Sequence, residues 1–234
     1  MGQGALRREG CDAQRMTDSI ERARTAAKRL KVFPLPPVVL LPGSAAPLHI
    51  FEPRYREMVK DALETDGMFA LAQVMPGQEA LLSGAPALEE MVCIGTIGMH
   101  EAVEDGRYNL VLVGLVRARL KRELPSQRQY REFEAELVED EDVQPGTDDA
   151  LKNAVVELVA RVPTEVGKRV AQVASRVSGG ALADVIASTF LQDPQRRFEV
   201  LNETDVAARL AVVTEELLSL IGSIKPRKPE GLMN

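Results

Sequence analysis

Two histidines, two cysteines and one Gly-Lys pair are the residues of this 234-residue chain with the most obvious capacity for chemistry. Their spacing decides what they can do. His100-Glu101 opens like the HExxH pattern of zinc hydrolases, but Glu104 stands where the second histidine must be, and the segment reads as a strand rather than a helix. Gly167-Lys168 is followed by Arg169, and Val162 stands where the first glycine of GxxxxGK[ST] belongs, so no phosphate-cradling loop is formed. No GxSxG nucleophile elbow is present. Cys93 lies in the apolar run MVCI and reads as a buried thiol, and Cys11 is too distant in sequence to suggest a disulfide framework. The expectation is a protein without catalytic residues, metal or cofactor.

Five methionines, Met58, Met68, Met75, Met91 and Met99, fall within a short span. Methionines at such positions most often fill gaps in a core; the other reading is an adaptable apolar groove. They lie close to the block Leu48-His49-Ile50-Phe51-Glu52-Pro53-Arg54-Tyr55-Arg56. Phe51 and Tyr55 read as core anchors joining the turn to the sheet, and His49 as part of a turn.

The elements that must hold these residues follow from periodicity. Residues 1–15 are glycine-containing and aperiodic, and read as a leader. Residues 17–30 place Ile20, Ala23, Ala27 and Leu30 on one stripe of a short polar helix. Three prolines among β-formers at 32–37 imply an extended segment outside the middle of a sheet, and VVLLPG reads as a strand entering a turn. Pro53 opens a helix over 53–64 with Tyr55, Met58, Val59, Ala62 and Leu63 on one face. Strands are expected at 68–75, 91–103, 107–121 and 130–138. Gly95 and Gly98 are suited to a bulge, and Glu104-Asp105-Gly106 to a hairpin turn. The first half of 107–121 is apolar on both faces, which predicts a central strand with Val111 buried. After Pro145-Gly146 the period changes to 3.6, with helices over 148–161, 164–177, from Gly179, from Asp193-Pro194, and a last one capped by Asn202.

Net charge is −6, unevenly spread. Residues 1–31 carry eight basic and four acidic side chains, whereas 132–149 carry nine acidic and none basic. The first is a solvated helix face or an anion-binding arm; the second is part strand face, part linker. This balance, with no tryptophan and 4% aromatics, makes a poor general nucleic-acid binder. No apolar stretch approaches a membrane span, and a cytoplasmic location is expected.

Three blocks then carry a resemblance: PLPPVVLLPGSAAPLHIFEPRYREMVKDAL at 34–63, IGTIGMHEAVEDGRYNLVLVGLVRARL at 94–120 and YREFEAELVED at 130–140. In sequence and order they resemble the N-terminal, substrate-binding domain of Lon proteases. LQDPQRRFEVLNETDVAARLAVVTEELLSL at 191–220 is similar to that family's helical bundle. The resemblance implies an α+β fold, a PUA-like β pseudobarrel followed by a C-terminal helical bundle. The expected organisation is a leader and short helix at 1–30, a β-rich part at 31–144, a bundle at 145–225 and a tail at 226–234. Lon proteases continue into ATPase and protease modules, and neither motif occurs here, so the chain is expected to be a stand-alone, non-catalytic binding module. Substrate recognition implies polypeptide clients, or a separate ATPase-protease as partner, with neither nucleic acid nor membrane. The candidate contact residues are Ile50, Phe51, Met58, Met75 and Met99. An uncharacterised hydrolase and an RNA-binding PUA-like protein are the alternatives.

Overall fold

The computed structural model describes residues 16–78, 84–125 and 127–224. The leader at 1–15 and the tail at 226–234 lie outside the described residues. The chain divides into two compact units, one up to Glu139 and one from Asp140.

The first unit opens with α1 over 16–26, continued by a 3-10 turn at Ala27–Arg29. Six strands follow: β1 (Leu30–Pro34), β2 (Ala45–Ile50), β3 (Met68–Ala72), β4 (Met91–Ala102), β5 (Tyr108–Glu123) and β6 (Arg131–Val138). Helix α2 (Pro53–Glu64) lies between β2 and β3 in sequence. The sheet order is β2-β5-β4-β3-β1-β6, and β6 pairs again with β5, so five strands close into a ring. The long β5 makes closure possible. Its N-terminal half pairs with β2, its C-terminal half with β6, and β4 runs along both. Among the described residues only β1 and β3 pair in parallel, Val32 standing opposite Ala70.

Alternation builds two apolar layers. Val32, Met68, Ala70, Val92, Ile94, Val116 and Ala118 form one core cluster with Ala23, Ala26 and Ala27. The small stripe of α1 is thus buried against the strands. On the other layer α2 buries Tyr55, Met58, Val59 and Ala62, and the Tyr55 ring lies 4.1 Å from that of Phe33.

The uneven charge is resolved within this unit. Arg24 reaches Glu139 at 2.6 Å and Arg29 reaches Glu132 at 2.7 Å. On β5, Lys121 and Arg122 pair with Glu136 and Glu134 on β6. Among the described residues, Arg24 and Arg29 of the basic segment are thus partners of the acidic strand.

Three expectations change. Val38–Leu41 is largely buried coil rather than a strand: β1 upstream takes the pairing, and local turns use the Val38 and Leu41 amides, which donate to the Leu35 carbonyl at 2.9 Å and to Ser44 Oγ at 3.0 Å. It packs where β5 carries Gly114, at which an added Cβ would overlap the Leu41 carbonyl. The next residues, AAPLHI, form β2, so His49 sits in a strand rather than a turn. Val111 is only half-buried, because the odd-numbered face of this half of β5 has no layer over it.

The second unit holds α3 (Asp149–Arg161), α4 (Thr164–Ala174), α5 (Gly179–Phe190), α6 (Pro194–Asn202) and α7 (Val206–Ser223). Helix α7 packs on α3 and α5, and α4 on α3. Asp193 caps α6 by accepting from Gln195 N at 2.9 Å. Asp205, not Asn202, caps α7, accepting from Ala208 N at 2.8 Å; Asn202 is spent as the last residue of α6. Arg209 of α7 is fully buried. It is paired with Asp140, donates to the Glu203 carbonyl at 2.9 Å, and has its Nε 3.6 Å from Asp184 Oδ1. None of the described helices is long and apolar enough to cross a membrane.

Candidate polypeptide-binding site

The strand half left bare by the ring is where β2, β4 and β5 run side by side. In β2 the burial alternates, with Ala46, Leu48 and Ile50 facing the core and Ala45, Pro47 and His49 facing out. Pro47 stands opposite Val111, whose own outward face is half-open.

Beyond β5, the register of β4 slips. Ile97 stands opposite Leu112, but Met99 stands opposite Val111, so Gly98 is an extra residue in the ladder. Uninterrupted pairing from Ile97 would set Met99 opposite Leu110, which faces the core. The bulge turns Met99 outward instead, 69% exposed. Glycine suits the position: an added Cβ would lie 3.1 Å from Val113 Cγ2.

Pro47, His49, Met99, Asn109 and Val111 line an open groove of about 480 Å³, with His100 and Glu101 along one side. His49 Nδ1 lies 2.7 Å from Asn109 Oδ1 across the β2–β5 pair, and its ring stacks on that of Phe51, centroids 6.1 Å apart. Phe51 is thus not the core anchor expected beside Tyr55: lying just past the last residue of β2, it is exposed and extends the apolar surface there. The hairpin tip is braced. Arg56 of α2 donates to the Gly106 carbonyl at 2.7 Å, and Asp105, at φ +77°, accepts from Arg107 at 2.9 Å. That hydrogen bond holds the Asp105 carboxyl below its ordinary pKa.

Of the five residues expected from sequence, the fold brings Met99 to this groove and Phe51 to its edge. Met75 is exposed, beside the Val74–Leu88 bridge, but does not line it. Ile50 and Met58 are corrected: both are fully buried, Ile50 on the inward face of β2 and Met58 on the inward face of α2, and offer no surface. Pro47, His49 and Val111 were missed as contact residues. The alternation in AAPLHI was the available signal for the first two.

A second cavity, of about 620 Å³, is lined by charged groups, several of them paired with one another. Lys31 contacts Thr65 and Asp66 at 3.1–3.2 Å, and the Tyr130 hydroxyl donates to Asp61 at 2.8 Å. Burial, then that carboxylate, pushes the Tyr130 pKa up. Among the described residues no group of three or more His, Cys, Asp or Glu is placed to hold a metal ion, and His100-Glu101 lies on a strand.

The sequence profile of the ATP-dependent protease La (LON) substrate-binding domain matches residues 29–219. The chain belongs to this family. It is 24% identical over 192 residues to Lon protease of Desulfosudis oleivorans and 26% identical over 196 residues to Lon protease 2 of Myxococcus xanthus. In each case the match takes in 80% of this chain but only 23% of the relative. The chain therefore spans about a quarter of the length of these relatives. The fold is similar to the N-terminal domain of Mycobacterium avium complex Lon protease, at 17% identity and TM-score 0.65, covering 82% of this chain and 98% of that one. It is also similar to a Lon N-terminal domain protein from Xanthomonas campestris, at 24% identity and TM-score 0.55, covering 82% and 97%. As a member of the Lon substrate-binding family, the chain is a substrate-binding module with the α+β architecture of a Lon N-terminal domain.

Proposed function

We propose that this module binds apolar segments of unfolded polypeptides in the β2–β4–β5 groove, without catalysis of its own. The observation that carries the reading is Met99, turned outward by the Gly98 bulge into an apolar strip with Pro47 and Val111. A thioether on a flexible stem adapts to side chains of different shape, which suits a site for many sequences. Phe51 stacked on His49 adds an aromatic anchor. The open groove gives little enclosure, and ordering a flexible client offsets much of the burial, so single short segments bind in the micromolar range or weaker. The names of the relatives support a further step, in which the bound segment passes to a separate ATP-dependent protease.

The test is a titration of a fluorescent unfolded client against the folded chain and its Met99→Glu variant. Binding that falls at least tenfold in the variant, and changes little between low and high salt, supports the reading. Binding that vanishes at high salt, or that the variant leaves unchanged, overturns it.

A further inference from the structure

The two rows of side chains that make up the β2–β4–β5 groove differ in character. Residues directly opposite one another in an antiparallel ladder share a face. Pro47, Val111 and Met99 form one row, since Val111 stands opposite both of the others. Asn109, two residues earlier on β5, stands opposite His49 on β2 and Glu101 on β4, and these three form the next row on the same face. All six residues line the groove. The first row is apolar. The second is polar and ends in a carboxylate.

That carboxylate is uncommitted. Glu101 is exposed, and among the described residues its side chain has neither an ion pair nor a hydrogen bond. Asn109 beside it turns its Oδ1 to His49, 2.7 Å from Nδ1. The other charges at this end of the groove do not answer Glu101. Asp105 is held by Arg107 at 2.9 Å, with Arg56 also acting on it, and Arg56 donates to the Gly106 carbonyl. Glu52 and Arg54, past the end of β2, pair with each other at 2.9 Å. Glu104, in the turn, is a second exposed acid.

We propose that the groove selects, among apolar segments, those that carry a lysine or arginine two residues from the apolar side chain seated on Met99. The proposal rests on the reading of this groove as a polypeptide site and names its substrate class. In an extended segment, residues i and i+2 point the same way and lie about 6.6 Å apart. Met99 and Glu101 are themselves i and i+2 on β4. A client side chain over Pro47, Val111 and Met99 therefore sets its second neighbour over Glu101. There an ammonium or guanidinium finds an acceptor, and a carboxylate is repelled. The pair stays in water, so it adds only about threefold in affinity, and salt screens it. The apolar contact beneath it is insensitive to salt.

The probes are three dye-labelled peptides of glycine and serine around one Leu-Val-Leu triplet, titrated against the full chain by anisotropy. In the first, a lysine stands two residues after the last leucine. In the second, the same lysine stands eight residues after it, so general attraction to a chain of net charge −6 is equal in both. In the third, a glutamate takes the near position. At 50 mM salt the near-lysine peptide is expected to bind about threefold tighter than the far-lysine peptide, and tighter still than the glutamate peptide. At 500 mM salt the difference between the lysine peptides should close, while the far-lysine affinity changes less than about twofold. Glu101→Gln, at an exposed position and checked by circular dichroism, should remove the difference, and Glu101→Lys should make the glutamate peptide the tighter one. Met99→Ser, which removes the thioether without adding charge, should weaken all three alike. Equal binding of the three peptides, weakened by Met99→Ser, overturns the selectivity and leaves the groove reading standing. No binding, or indifference to Met99→Ser, overturns both. A near-lysine preference that survives Glu101→Gln places the cation elsewhere and overturns the proposal.

Discussion

Met99 stands opposite Val111 across β4 and β5, although two residues earlier Ile97 stands opposite Leu112. The one-residue slip at Gly98 decides which face of the sheet the methionine joins. Deleting Gly98 should remove the extra residue and leave Met99 directly after Ile97, still opposite Val111. The deletion is therefore expected to keep most of the client binding that Met99→Glu loses, with the far-ultraviolet circular dichroism of the fold retained. A folded deletion variant that binds as poorly as Met99→Glu would mean that the bulge itself, rather than the place of Met99 opposite Val111, makes the contact.

Neighbouring residues of β5 should differ sharply in their tolerance of charge. Leu112 is fully buried, and Leu112→Asp leaves an unpaired charge in the core, at a cost of several kcal/mol. Val111 faces the groove, and Val111→Asp should cost about 1 kcal/mol or less while weakening client binding. Urea denaturation of the two variants gives the comparison; equal destabilisation would contradict the outward face of Val111.

Gly180 and Arg209 form one mechanical unit at the start of α5. An added Cβ at Gly180 would overlap both Asp140 and the Arg209 guanidinium. Gly180→Ala should therefore displace that ion pair and destabilise the helical unit. Arg209→Met strands the Asp140 carboxylate and takes a cation from beside the buried Asp184, and should cost about 3–5 kcal/mol. A melting temperature unchanged in either variant would show that the pair contributes nothing to the folded state.

Asp148 gives the helical unit a defined acid sensitivity. The Lys152 ammonium and the Gly179 N–H, at 2.9 Å, hydrogen-bond its carboxylate and hold its pKa below the ordinary value. Its contribution to stability is then full above about pH 4, near the unfolded-state value, and is lost as pH falls through the lower folded value. Asp148→Asn should be less stable than the parent at pH 7, and the difference should shrink below pH 4. Urea midpoints at pH 7, 5, 4 and 3 measure it; a gap that stays constant to pH 3 would rule this carboxylate out as the titrating group.

Elements with an internal period were legible before the fold was known. Pro53 with Tyr55, Met58, Val59 and Ala62 marks α2 to the residue, because one buried stripe and one helix start determine each other. Asp193-Pro194 marked the start of α6 in the same way. VVLLPG was misread because apolarity alone does not distinguish a strand from buried coil; what separates them is a pairing partner, and β1 had taken it. The same limit governed the site. Met58 and Met99 look alike in sequence, yet one fills a core and the other faces out, since a helix face and a ladder slip respectively orient them. A slip arises from the pairing of two strands, so inspection of either alone could suggest Gly98 as a bulge but not which side chain it would turn outward.

Closure of the ring through β5 and β6 has a consequence for self-association. It leaves unpaired backbone along the outer side of β2 and along the tip of β4, and each carries a known obstacle to strand addition. Pro47, in the middle of β2, has no amide hydrogen to offer an incoming strand, and the Gly98 bulge twists the rim of β4 away from a straight ladder. A protein can then display valine and methionine to unfolded chains without being drawn into edge-to-edge polymers with them. In the proposed reading, the grip on a client comes from side-chain contacts, which do not depend on strand register.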